Sequence, residues 1–225
     1  MSKKYYVVKV GKERGIYDTW EECEKQVKGY KGAIFKSFTN EVDAQRYLNG
    51  ENIEIPISRP TDETEMNIFV DGSFKNGVVG SGVYIQTSDM DIEIAGCCDS
   101  CIGIESRNIV GELVATLLGV QTAEYLGKET VNIIYDFKGI EDWYWETWKS
   151  KKELSHMYYD LMQKLSSDLT FMFMKVKGHT NVKGNEMADK LARTGIDRKL
   201  FLNFNEILKG NYEITESSFY NKKLV

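Results

Sequence analysis

The run VNIIYD at 131–136 is short, apolar and β-branched up to its final acid, the pattern of a strand buried on both faces. A strand of that kind needs cover above and below, so the sequence around it must supply a sheet and helices to pack on it. Upstream, MNIFVDGSF, VVGSGVYIQT and DIEIAGCC are three apolar or alternating runs separated by Gly and polar turns, which predict an antiparallel meander. A helix follows, with Val110, Leu113, Leu117 and Val120 at helical spacing up to Gly127 and Asn108 able to cap it. Downstream come one or two Trp- and Tyr-rich helices over about 138–166, a fifth strand in LTFMFMKVKG and a helix in KGNEMADKLART. The order βββαβαβα predicts a mixed α/β sheet covered by helices.

A second, smaller unit precedes this one. YYVVKV and GIY read as strands, and Thr19-Trp20-Glu21-Glu22 has the form of a capping box that starts a helix. GAIFKSF reads as another strand, and Thr39 or Asn40 can cap a second helix ending at Gly50. About 45 residues bury only a marginal core, so this module should be modestly stable. Residues 51–65 hold both prolines of the chain and five acids, which predicts an extended, solvated linker. The division predicted is thus 1–50, linker 51–65, main domain 66–197 and an extension 198–225 whose role the sequence does not explain.

Net charge of −5 argues at first against a polyanionic partner. Its partition changes that: residues 1–50 carry 10 Lys and Arg against 7 Asp and Glu, a balance of +3, while the linker and the body are each −4. An acidic body still suits a polyanion if its acids are gathered around bound cations. With no window near the roughly 20 apolar residues of a membrane span, and a charged start running into a strand rather than a signal peptide, a cytoplasmic protein with reduced thiols is expected. Cys97, Cys98 and Cys101 lack a fourth ligand at zinc spacing and read as strand-end thiols.

Asp71 and Asp136 each close an apolar strand run with no cation adjacent in sequence. An ionised acid there is costly unless paired or bound to a metal; singly, each could equally cap a turn. Glu112 and Asp189 fall in the first halves of their helices, where an acid can simply meet the helix dipole.

Over nearly the whole of 66–197 the sequence resembles type 1 ribonucleases H, through VDGSF, NIVGE, YDFKGIEDW and KVKGHTNVKGNEMADKLA in that family's order and near its spacing. The resemblance implies a ribonuclease H-like fold, a mixed five-stranded sheet with helices on both faces, preceded by a small α/β module. It implies an endonuclease that cuts the RNA strand of RNA/DNA hybrids, with Asp71, Glu112, Asp136 and Asp189 as catalytic metal ligands. Hard oxygen donors suit Mg²⁺, with Mn²⁺ as substitute, and two ions would leave 5′-phosphate and 3′-hydroxyl ends. Four clustered carboxylates should stay partly protonated at neutral pH without such ions. His179, ten residues before Asp189, matches the family's mobile histidine; otherwise it is a plain loop histidine. His156 matches no motif.

For substrate contacts the resemblance implies Gly72, Ser73 and Asn108 near the RNA strand, Asn108 being compatible with a capping role. It sets Trp143 against the DNA strand, although a core tryptophan reads equally well. A basic segment that some relatives carry after this tryptophan is replaced by WYWETWKSKK, and their phosphate-holding arginine and threonine by Glu105, Ser106 and Arg107. Residues 4–48 resemble the hybrid-binding domain shared with caulimovirus viroplasmin proteins, through KYYVVKVG, GIYDTWEEC and FKSF. This implies Tyr6, Trp20, Phe35 and Lys36 on the minor groove of a hybrid, while Trp20 alone reads as core behind the capping box. A non-catalytic nucleic-acid-binding protein on the same fold is the competing class, and loss of any one carboxylate would favour it. A reverse-transcriptase ribonuclease domain is expected to come with a polymerase segment, which is not found here. The expected partner is hybrid duplex, with no membrane and no obligate protein partner.

Overall fold

The computed structural model describes residues 3–38, 41–49, 57–149, 152–177 and 182–225. The chain divides into two compact units, Met1–Ser58 with Trp145–Trp148, and Arg59–Tyr144 with Lys149–Val225.

In the first unit, β1 (Tyr5–Val10), β2 (Gly15–Tyr17), α1 (Trp20–Val27), β3 (Ile34–Phe38) and α2 (Glu41–Asn49) follow one another. The sheet order is β2-β1-β3, antiparallel throughout. Thr19 caps α1, its hydroxyl accepting from the Glu22 N–H at 3.3 Å. The expected cap of α2 at Thr39 or Asn40 and its end at Gly50 lie outside the described residues. Strand alternation splits the small core in two. Val7 and Phe38 pack with Ala44 of α2, while Tyr6 turns the other way, toward Trp20 of α1.

The second unit runs β4 (Glu65–Lys75), β5 (Val78–Gln86), β6 (Met90–Cys98), α3 (Asn108–Tyr125), β7 (Thr130–Tyr135), α4 (Gly139–Tyr144), α5 (Glu153–Leu165), β8 (Thr170–Lys175), α6 (Lys183–Asp197), α7 (Phe204–Leu208) and β9 (Asn221–Leu224). The meander β4-β5-β6 is antiparallel, and β7 lies parallel to β4 and β8, so the sheet is mixed as expected. It has six strands rather than five, in the order β8-β7-β4-β5-β6-β9. The extra strand is NKKL, exposed at every position, so no apolar alternation announces it; backbone pairing with β6 alone makes it a strand.

Glycines let helices lie directly on both faces. Gly80 and Gly82 are two apart on β5 and share a face, and a Cβ on either would stand 2.1 Å from the carbonyl oxygens of Ala192 and Ala188 in α6. Gly72 on β4, opposite Ser81, faces the other way, where a Cβ would stand 2.1 Å from the Asn108 carbonyl oxygen of α3. Helix α3 is buried all round from Val110 to Ala123, beyond the one apolar stripe its spacing suggests, because α5 and α7 cover the side turned away from the sheet. Asn108 is not its cap: that place is held by Arg107, at φ 54 and ψ −124, a left-handed backbone that costs about 1–3 kcal/mol in a residue other than glycine.

Residues 198–225 are part of this packing. The Cys97 N–H donates to the Leu200 carbonyl at 2.8 Å, and the Leu202 N–H donates to the Cys97 carbonyl at 2.9 Å. Phe204, Ile207 and Leu208 of α7 enter the core. The described end of the expected linker is also held rather than solvated. Arg59 donates to the Thr87 carbonyl at 2.7 Å and pairs with Asp91, and Pro60 is buried. All four cysteines are free, and burial pushes the thiols of Cys97 and Cys101 up to about 11 and about 12, which leaves them weak metal ligands.

Candidate active site

Three elements bring acids to one place. Asp71 stands in the second half of β4, Asp136 immediately follows β7, its parallel neighbour, and Glu112 lies one turn into α3, which Gly72 allows to touch the sheet. One carboxylate oxygen from each lies within 4.8 Å of the others. Asp189, on α6, lines the same ≈ 830 Å³ cleft but stands outside that trio, its carboxylate paired with Arg193 at 2.5 Å.

The electrostatics follow from burial. Glu112 is 3 % exposed, and burial, then the charges of Asp136 and Asp71, raise its pKa to about 9. Burial first, then Asp136 and Asp189, raise Asp71 to about 7, against the Gly72 N–H that donates to its carboxylate at 2.7 Å. Asn108 donates to Glu112 Oε1 at 3.3 Å, while Oε2 is buried without a partner among the described residues. Acids that hold each other partly protonated, with an orphaned oxygen among them, fit a hard divalent cation: oxygen ligands are what such ions take, and the cation supplies the missing partner.

Gly72, Ser73 and Asn108 line this cleft with the acids. Trp143 is half-buried and packs edge-on against Phe137, ring centroids 5.7 Å apart. His179 lies outside the described residues. In the first unit Tyr6, Trp20 and Phe35 form one aromatic row, with centroids 5.9 and 5.6 Å apart, although Phe35 is only 5 % exposed. Lys36, next along β3, falls on the opposite face, where its ammonium lies over the Tyr47 ring at 5.8 Å. These four residues therefore do not form a single patch.

Sequence reasoning gave no role to five residues of the cleft, Phe74, Arg107, Asn185, Glu186 and Arg193. Arg193 and Asn185 flank Asp189 at four residues on either side, so helical spacing alone places them on its face. Asn185 is 6 % exposed, with Oδ1 unpartnered among the described residues. Arg107 also lines the cleft, its guanidinium 5.6 Å over the Phe74 ring. Its left-handed backbone has no sequence signal.

Fold and site together define a mixed α/β protein that gathers carboxylates at the spacing of a metal site. Residues 63–197 match the family described as RNase H, and residues 4–48 match the Ribonuclease H1 N-terminal domain. The chain belongs to the RNase H family. Ribonuclease H of Schizosaccharomyces pombe is 26% identical over 266 residues, covering 86% of this chain and 97% of that protein. That of Polaromonas sp. is 30% identical over 153 residues, covering 62% of this chain and 93% of the other. Against ribonuclease H of Crithidia fasciculata the match is 52% identical over 48 residues, 21% of this chain and only 10% of that protein. The fold is shared with the crystal structure of RNase H1 from Halobacterium salinarum, at a TM-score of 0.51 and 16% identity, over 60% of this chain and 98% of that one. Among the described residues no helix is long and apolar enough to cross a membrane.

Proposed function

We propose that the chain is an endoribonuclease that hydrolyses the RNA strand of RNA/DNA hybrids, leaving 5′-phosphate and 3′-hydroxyl ends. The observation that carries the reading is the trio of Asp71, Glu112 and Asp136, oxygens within 4.8 Å, with Asp189 in the same cleft. These four would hold two Mg²⁺ ions, or Mn²⁺ in their place, which when bound supply an activated water and offset charge on the leaving oxygen.

The chain's own groups do the positioning. The Gly72 N–H and the Asn108 carboxamide fix the orientation of Asp71 and Glu112. Ser73 and the rest of the Asn108 amide face the cleft where a ribose 2′-hydroxyl would pass, the group that separates RNA from DNA. Arg107 offers a guanidinium to a backbone phosphate, and Trp143 a ring edge to the DNA strand. His179 assists departure of product and moves a proton. The first unit would hold the hybrid through half-buried Tyr6 and Trp20, with Phe35 enclosed behind them, while Lys36, on the opposite face of the sheet, is left out of this contact. Four free cysteines support a reducing, cytoplasmic setting.

The test is cleavage of end-labelled RNA/DNA hybrid, duplex RNA and duplex DNA with Mg²⁺ or with EDTA. Metal-dependent cutting of the hybrid's RNA strand alone is expected; equal cutting of all three, or cutting in EDTA, overturns the reading.

A further inference from the structure

A second cleft of ≈ 560 Å³ opens at the far end of α3, between that helix, the end of α5 and the segment that follows α7. Gln121 forms part of its lining and is 8 % exposed, and its Oε1 is buried with no hydrogen-bond partner among the described residues. A buried acceptor left unmet costs about 1–3 kcal/mol, so this amide is a polar group waiting for a donor. It lies nine residues past Glu112, about 14 Å along α3 at 1.5 Å per residue, and shares no lining residue with the carboxylate cleft.

The surroundings specify the donor. Leu161, Leu165 and Ile214 are buried side chains of the lining and give an aliphatic wall. Glu124, Asp168 and Glu213 are exposed around it, against one cation among the described residues, Lys164. A ligand that suits all three features carries N–H donors, a positive charge and a methylene chain. Anions, nucleic acid included, are repelled by the acids, and a bare metal ion makes no use of the aliphatic wall.

We propose that this cleft binds a free alkylammonium ligand of the polyamine class, one ammonium donating to Gln121 Oε1, the methylenes lying on Leu161, Leu165 and Ile214, and a second ammonium meeting the rim acids. Segment 198–225, which supplies one wall of the cleft, thereby acquires a binding role as well as a packing one.

The experiment is calorimetric titration of the full chain with spermidine, with tetramethylammonium as a cation lacking N–H donors and a short lysine peptide as an alternative occupant. Saturable spermidine binding is expected. It should weaken about tenfold in Gln121→Leu, since a hydrogen bond to a charged group is lost, and several-fold in Glu213→Lys. Glu213 is exposed, so the second variant keeps the fold whatever the first does. Isotherms unchanged in both variants would place the amines elsewhere on the acidic surface. Absence of saturable binding would leave ordered water as the occupant, and tighter binding of the peptide would make the site a partner's. Each of these three results overturns the proposal.

Discussion

Helix α3 buries one polar side chain with an unmet oxygen near its start, Glu112, and another near its end, Gln121, and the two make opposite demands. Glu112 is enclosed among acids, where burial first and then the charges of Asp136 and Asp71 raise its pKa, and a bound cation would relieve both repulsion and orphaned oxygen at once. Gln121 is neutral and borders leucines, where only an N–H or O–H donor answers. An unsatisfied buried atom thus signals that something binds, and its neighbours determine what.

The strongest way to break the comparison is at the acid end. Asp71→Asn keeps side-chain volume while removing a charged ligand, so hybrid cleavage in Mg²⁺ should fall at least about a thousandfold, several kcal/mol of transition-state stabilisation. Single-turnover assays on folded protein check it, and near-parental activity would dismiss Asp71 as a metal ligand.

The next effect is on stability. Asp71 and Glu112 have folded-state pKa values near about 7 and about 9, above their ordinary 3.8 and 4.5. The folded chain therefore binds more protons than the unfolded one, and stability of metal-free protein falls as pH rises from about 4 through about 7 and on toward about 9. Thermal melts in EDTA should show this decline, Mg²⁺ or Mn²⁺ should reduce it, and Glu112→Gln should flatten it while abolishing cleavage. A metal-free Tm independent of pH across that range would mean that burial and mutual repulsion do not keep these two acids protonated in the folded chain.

Smaller still is the change at His179, where alanine should lower turnover about tenfold and leave metal-dependent cleavage in place, because release rather than bond-breaking is affected. Complete loss with intact metal binding would make it an essential catalyst, and an unchanged rate a bystander. The least drastic test removes residues 1–57 and keeps Arg59, which is anchored to Asp91. Cleavage of short hybrids at saturation should persist while affinity for long hybrids drops. Losing two or three phosphate contacts should flatten log K against log salt by about two, at roughly 0.9 per contact. Trp20→Ala in the full chain should weaken binding with little change of slope, since apolar packing on sugars releases few counterions. Equal binding by truncated and full chains at every salt concentration would remove the first unit from substrate recognition.

Much of this was legible in the residues. The order of elements along the chain could be read because VNIIYD and the meander declare their burial by composition, whereas the four acids are brought together as a set only by resemblance to the ribonuclease H family, since Asp71 lies inside β4 and Asp189 inside α6. What escaped reading depends on backbone or on distant packing. Nothing in NKKL distinguishes a strand from a loop, as the pairing that makes it one is with β6, far away in sequence. Nor does Arg107 reveal its left-handed backbone. The Gln121 site draws on three segments, 121–125, 161–168 and 210–215, that share no local pattern. Phe35 shows the converse limit: a residue implied by resemblance to touch ligand is almost wholly enclosed.

Strand β9 has one further consequence. An open edge on β6, whose residues from Ile94 to Cys98 are all buried, would offer unpaired backbone groups as a template for a second molecule. β9 occupies the neighbouring half of that edge, pairing Met90–Glu93, and presents exposed Lys222 and Lys223 in its stead. Cations on an outermost strand oppose sheet-to-sheet stacking between copies. Removal of residues 219–225 should therefore show itself first as loss of colloidal stability in concentrated solution, with the carboxylate cleft left intact.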